Sequence, residues 1–312
     1  MEVRKIGPLT QVAGIGPLTQ MFYEACVCAK ALLTPGMRRI TLGGPGLAQF
    51  CSTGIGDEYL RLFFPNAETG HIHLPHIDES GRWTYPDGHK AVRYSTYTVR
   101  EHRPERNEID VDFVVHRGGM ASDWAQDCAV GDSVTLNRPR GLYAPPDDIV
   151  WQLLVADATG LPALSRLLEQ TPGHVQTRAF IEVADQSHEQ TLPWHPHSSV
   201  TWLHGSGNGV AASRLGDVVR AMPLPATPGY VWVAGEQRVV RSLRRYVRHE
   251  LRLPAERYEL IGYWTEDAQA WEERYEALPE AVHAAIAAGW DSGRDRELVR
   301  DEYYATLERF GL

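Results

Sequence analysis

Two short stretches of this chain carry residue types suited to redox chemistry. The first is Ser95-Thr96-Tyr97-Thr98-Val99-Arg100, where an aromatic ring beside a hydroxyl at a strand end can cover a flat heteroaromatic ring and hydrogen-bond its polar edge. The second follows about twenty residues on: His116, then Gly118-Gly119-Met120-Ala121-Ser122-Asp123-Trp124, and after it Arg138-Pro139-Arg140-Gly141. Small residues opening a helix can hold a pyrophosphate on backbone N–H groups. Together the two read as a flavin site. Taken singly, Tyr97-Thr98 is ordinary strand composition and Trp124 ordinary core.

These residues need a sheet. Short β-type runs separated by Gly, Pro, Asn or Asp turns are predicted over 38–42, 59–64, 94–100, 108–116 and 133–138, which points to an antiparallel sheet or small barrel. A short helix is expected over 121–129, with Ser122 as its N-cap. From Trp151 the pattern changes. Strands over 152–156, 178–183, 200–204, 230–234 and 259–264 alternate with helices over 161–170, 211–222 and 238–251, so a parallel α/β domain is expected. Its strand-end loops Ala156-Asp157-x-Thr159-x-x-Pro162 and Ala234-Gly235-Glu236 are placed where such sheets bind nucleotides. Gly205-x-Gly207-x-Gly209 is ordinary turn chemistry, not a dinucleotide fingerprint.

The remaining features are plainer. Residues 21–33 read as a helix-like apolar run carrying Cys26 and Cys28, and residues 1–34 as an N-terminal extension. That extension repeats Ile-Gly-Pro-Leu-Thr-Gln at 6–11 and 15–20, to which no chemistry is assigned. Arg238, Arg241, Arg245, Arg248 and Arg252 share one side of a helix, either as a solvated basic face or as an electropositive wall for an anionic ligand. From 268 the tail is helical, with Val299, Tyr303, Leu307 and Phe310 in one apolar stripe suited to packing on a neighbouring domain. The expected division is 35–148, 149–266 and a helical extension 267–312.

Several classes are disfavoured. The 40 acidic residues outnumber 31 basic ones, a net charge of −9 that argues against a nucleic-acid partner. No apolar run is long enough to cross a bilayer, and Met1 to Lys5 lead into no signal-like segment, so a cytoplasmic protein is expected, as a monomer. Four irregularly spaced cysteines, none after Cys128, suit neither a disulfide framework nor an iron–sulfur cluster. His71, His73 and His76 with Asp78 match no metal-ligand spacing and read as a surface loop. There is no G-x-S-x-G elbow, which disfavours a serine hydrolase.

On Tyr97-Thr98-Val99-Arg100, Asp112 to His116, Gly119-x-Ala121-Ser122-x-Trp124-Ala125, Gly131-Asp132, Pro139-Arg140-Gly141, Ala234-Gly235-Glu236 and Gly262-Tyr263-Trp264, the chain resembles the siderophore-interacting proteins. These are FAD-dependent ferric-siderophore reductases related in fold to ferredoxin–NADP reductases. The likeness spans nearly all of residues 35–312. It implies an N-terminal antiparallel β-barrel for FAD, a C-terminal parallel α/β nucleotide-binding domain and a helical C-terminal extension. It also implies that Tyr97 contacts the isoalloxazine, that Thr98 lies near its N5, and that Val99 and Arg100 continue the lining strand. Gly119, Ala121 and Ser122 would take the pyrophosphate with His116 and Trp124 close by. Asp157 and Thr159 would face the nucleotide end of FAD, and Gly235, Glu236, Tyr263 and Trp264 the nicotinamide side. NADH or NADPH would be the donor and an Fe(III)-siderophore the acceptor, with Arg140 and Arg241 available to attract an anionic siderophore. No resident metal is implied. The chain departs from the family pattern at two places: Ser95 stands where an arginine is usual, with Arg93 two positions earlier, and Thr265-Glu266-Asp267 follows Gly-Tyr-Trp in place of a basic residue. A general NAD(P)H-dependent flavin or ferredoxin-type reductase and a non-enzymatic siderophore binder are the alternatives.

Overall fold

The computed structural model describes residues 22–77, 83–85, 92–116 and 118–312. The Ile-Gly-Pro-Leu-Thr-Gln duplication and Asp78 lie outside them. The first half of the chain builds β1 (Phe22–Thr34), β2 (Met37–Gly43), β3 (Tyr59–Phe63), the two-residue β4 (His76–Ile77) and β5 (Trp83–Thr84), β6 (Tyr94–Thr98), β7 (Glu101–Arg103), β8 (Glu108–Val114), α1 (Met120–Asp127) and β9 (Ser133–Asn137). Seven of these strands form one antiparallel sheet in the order β6-β3-β9-β1-β2-β8-β7. It curls like a barrel without closing through a ladder. The gap is bridged by the Arg100 N–H donating to the Asp110 carbonyl at 2.8 Å, just beyond the end of β6.

Residues 22–34 correct the sequence reading, being neither helical nor outside the sheet. Tyr23, Ala25 and Val27 point into the core while Glu24 is exposed, the period of two that defines a half-buried strand. Pro35-Gly36 turns the chain so that β1 pairs with β2 on one side, and β9 takes the other. An Ala- and Cys-rich run is weak evidence for either state, and here the long-range partners decide. Cys26 and Cys28 share a half-buried face of β1, and no metal-holding group of His, Cys, Asp or Glu occurs among the described residues.

The second half builds β10 (Trp151–Asp157), α2 (Leu161–Gln170), β11 (Gln176–Val183), β12 (Ser198–His204), α3 (Leu215–Ala221), β13 (Gly229–Glu236), α4 (Gln237–Arg245) and β14 (Tyr258–Trp264). The sheet is parallel throughout, in the order β12-β11-β10-β13-β14. All seven residues of β10 are buried, as expected of a central strand covered on both faces. The helix expected over 238–251 stops at Arg245 and passes into a π-helical turn over Tyr246–Glu250.

The tail forms α5 (Ala268–Glu276), α6 (Glu280–Asp291) and α7 (Arg296–Arg309), with their own small core around Trp271, Leu278, Tyr303, Leu307 and Leu312. α7 packs on α4, and that contact settles the arginine face. Arg244 and Arg248 pair with Glu297 and Asp301, Arg245 pairs with Glu308, and the buried Arg241 donates to the Leu312 carbonyl at 2.9 Å. The face is therefore divided: Arg238 and Arg252 stay exposed, as a solvated face would have them, while Arg241, Arg245 and Arg248 are taken up by the tail. The buried Arg241 is spent on the chain end, which removes it from the substrate-binding candidates. No helix among the described residues is long and apolar enough to cross a membrane.

Candidate functional site

Residues Asp57 and Glu58, just ahead of β3, tie the two halves together. Asp57 accepts from the Leu142 and Tyr143 N–H groups at 2.8 and 2.9 Å and from Trp232 Nε1 at 3.1 Å, which joins the loop after β9 to β13. Burial pushes its carboxyl above the usual range, the backbone donors working against that. Glu58 accepts from Arg166 Nη1 of α2 at 3.0 Å, and the same nitrogen donates to the Val99 carbonyl. Arg100 reaches α2 as well, donating to Ser165 Oγ at 3.1 Å and Glu169 Oε1 at 2.6 Å. These contacts fix the end of β6 against α2. They also change the expected parts of Val99 and Arg100: the Val99 side chain is in the barrel core, and the Arg100 guanidinium is held by α2.

At that strand end Tyr97 is half-buried, its ring 4.2 Å from that of Phe113, with Trp124 5.8 Å beyond. Desolvation pushes the Tyr97 phenol up, so it stays protonated at any ordinary pH. The Thr98 hydroxyl is buried and points toward that of Tyr263 on β14. Neither oxygen closes a hydrogen bond of normal geometry. The two hydroxyls, one from each half of the molecule, face each other where the sheet half meets the α/β half.

The loop into α1 is arranged differently from the sequence expectation. Its N-cap is Gly119, not Ser122, and no side chain caps it. Ser122 lies inside the helix, where its Oγ accepts from the His116 N–H at 2.8 Å and donates to the His116 carbonyl at 2.7 Å. The serine is thus a buried clamp on the loop, and its hydroxyl is not available to an anion. A Cβ on Gly119 would run into the exposed His116 ring, which would have to swing aside. What remains free by helix geometry are the first N–H groups, from Met120 to Ser122. Beside them, Arg93 Nε lies 3.2 Å from Met120 Sδ. Arg93, two positions before Ser95, thus sets a guanidinium beside the helix start, its Nη1 donating to the Pro65 carbonyl at 3.1 Å. An uncapped helix start, an adjacent guanidinium, a nearby aromatic ring and an unmatched hydroxyl suit a flavin dinucleotide.

At the carboxyl edge of the parallel sheet lies a cleft of about 260 Å³, lined among others by Asp157, Glu182, Asn208, Glu236 and Trp264. Asp157 is not open to a ligand. Its Oδ1 accepts from the Thr159 N–H and hydroxyl at 2.8 and 2.6 Å, and its Oδ2 from Trp264 Nε1 at 2.6 Å, so it positions the indole. Gly235 passes directly over this carboxylate, where a Cβ would come within 2.8 Å of Oδ2. Glu236 Oε2 caps α4 through the Arg238 and Val239 N–H groups at 2.6 and 3.1 Å. Asp157, Thr159, Gly235, Glu236 and Trp264 are thus brought together, with the acids shaping the wall. Arg140 stands apart from them, exposed, with its backbone paired to Tyr59.

Sequence reasoning passed over Asp57, Glu58, Arg166 and Glu182. The first three carry no motif, their partners being far away in sequence. Glu182 did leave a signal, an acid near the end of the second strand of an α/β unit.

Comparison with known proteins agrees with this architecture. Residues 26–143 match the family described as the siderophore-interacting FAD-binding domain, and residues 149–267 match that described as siderophore-interacting protein. An NADPH-dependent ferric-chelate reductase from Escherichia coli is 33% identical over 78% of this chain and 92% of its own length. A ferric vibriobactin reductase from Vibrio cholerae is 31% identical over 80% and 93%. The crystal structure of a siderophore utilization protein from T. fusca superposes with a TM-score of 0.70 at 30% identity, covering 80% of this chain and 95% of the other. With both halves matched in order by the two parts of one family, and relatives of this identity matched over nearly their full length, the chain belongs to the siderophore-interacting protein family.

Proposed function

We propose that this protein is a cytoplasmic, monomeric reductase that carries electrons from a nicotinamide dinucleotide through FAD to the Fe(III) of a siderophore. The observation that carries the reading is the meeting of Thr98 and Tyr263, two buried, unmatched hydroxyls contributed by the sheet half and the α/β half. A ligand edge laid beside this pair touches both domains at once, which is what transfer from one bound partner to another requires. The names of the Escherichia coli and Vibrio cholerae relatives support the same chemistry.

In this reading Tyr97 packs on the ring system of FAD, and Thr98 donates to its polar edge. The free amides of Met120, Ala121 and Ser122 take the pyrophosphate, with Arg93 balancing its charge. His116, Gly119 and Ser122 hold that loop in shape, and Trp124 supports Tyr97 through Phe113. Trp264, fixed by Asp157, walls the dinucleotide cleft together with Gly235 and Glu236. The chemistry FAD would supply here is two-electron uptake from the nicotinamide and release in single electrons, so that one dinucleotide would serve two ferric ions. Hard oxygen donors hold Fe(III) far better than Fe(II), so reduction itself loosens the metal and no general acid or base is needed at the iron. Exposed Arg140 would attract an anionic siderophore.

Turnover of the FAD-loaded protein on several ferric siderophores, ferric citrate and a protein acceptor, with Fe(II) trapped as it forms, tests the acceptor. A kcat/KM on at least one siderophore some tenfold above that on citrate is expected. Equal rates on citrate, or preference for the protein acceptor, would sink the siderophore assignment.

A further inference from the structure

The dinucleotide cleft has an acidic wall. Four carboxylates line it, Asp157, Glu182, Glu236 and Glu266, and no lysine or arginine is among its lining residues. Asp157 is fully engaged by Thr159 and Trp264, and Glu236 caps α4 and accepts from the Glu266 N–H. Glu182 is the exception. It is 0% exposed, its Oε1 accepts from the Arg214 N–H at 2.7 Å, and its Oε2 is buried without a partner.

The surroundings are built around that carboxylate. Asn208 clamps the loop after β12 onto two strand ends, accepting from the Ala158 N–H at 3.0 Å and donating to the Glu182 carbonyl at 2.9 Å. Next to it Gly207, at φ 61°, faces Oε2 so closely that a Cβ would collide with it. Both residues line the cleft, so the unmatched oxygen lies directly behind its wall, covered by Gly207. Arg214 contributes its backbone here, while its exposed side chain is not among the lining groups.

Glu182 lies near the end of β11, the second strand of its domain. In open α/β sheets an acid at such a position accepts hydrogen bonds from the hydroxyls of an adenosine ribose, whereas a ribose 2′-phosphate requires a basic partner. A phosphate dianion brought against a buried carboxylate would meet like charge with nothing to offset it. We propose that Glu182 makes the cleft selective for a dinucleotide with free 2′- and 3′-hydroxyls, NADH, over its 2′-phosphorylated counterpart, NADPH. The proposal rests on the reductase reading above and sets this chain apart from its relative named for NADPH.

The test is calorimetric titration of the full-length, FAD-loaded protein with NAD⁺ and with NADP⁺, alongside anaerobic bleaching of the flavin by NADH and by NADPH. NAD⁺ is expected to bind at least tenfold more tightly than NADP⁺. Glu182→Gln should shrink that ratio to threefold or less, mainly by tightening NADP⁺. Glu266→Gln, an exposed change that does not threaten folding, should shrink it partway. Equal or reversed affinities in the native protein, or a ratio unmoved by both variants, overturns the proposal while leaving the reductase reading intact if the flavin still bleaches. Failure of both dinucleotides to bind and to bleach removes the reading and the selectivity together.

Discussion

Replacing Arg166 with alanine is expected to destabilise the protein by about 3–5 kcal/mol, the usual loss when one partner of a buried ion pair is removed. The guanidinium is 7% exposed and serves two acceptors, Glu58 Oε1 and the Val99 carbonyl. Without it Glu58, which is 0% exposed, keeps Ser52 Oγ and the Thr53 N–H and hydroxyl as donors, at 2.5, 2.6 and 2.7 Å. It has no positive charge left. Because the pair joins the sheet half to α2, the loss should fall on the domain boundary, and flavin reduction should slow along with it. The double variant Arg166→Met, Glu58→Gln removes both charges and should regain much of the stability. Urea unfolding of the three proteins is the measurement. A single-variant loss below about 1 kcal/mol would mean the boundary is held elsewhere.

The second large effect belongs to Tyr97. Alanine there is expected to weaken FAD binding about 5–140-fold, taking an aromatic platform as worth about 1–3 kcal/mol and 1.4 kcal/mol as one decade. Phenylalanine should bind FAD within a few-fold of the native protein, since Tyr97 packs through its ring against Phe113. FAD fluorescence titration distinguishes the two outcomes. Native-like affinity in Tyr97→Ala would place the flavin somewhere other than the end of β6.

Much of this was readable in the chain, and the reasons differ by element. The parallel α/β half announced itself because its central strands β10 and β13 are short apolar runs bounded by turn residues, both buried along their whole length. β1 was misread because its alternation is blurred by small residues and its partners, β2 and β9, are chosen over long range. Ser122 drew attention as a serine near a helix start, yet the cap lies three residues earlier at Gly119, and the loop around His116 makes the serine a clamp. The arginines of α4 look like a ligand wall until Glu297, Asp301 and Glu308, some fifty or more residues further along the chain, come to rest on them. Pairing across that distance leaves no local pattern. The same holds for Arg166, an arginine buried at the boundary and aimed at an acid more than a hundred residues earlier.

The central claim is that electrons enter at the dinucleotide cleft and leave to ferric iron through a flavin seated at Tyr97 and Thr98. Anaerobic stopped-flow of the FAD-loaded protein, mixed first with one equivalent of NADH and then with a ferric siderophore, tests it in one sequence. The expected result is bleaching of the flavin on the first mix, recovery of its colour on the second, and two trapped Fe(II) for each NADH consumed. A protein that takes up no FAD, or a flavin that bleaches but is not reoxidised by any ferric siderophore, would contradict it.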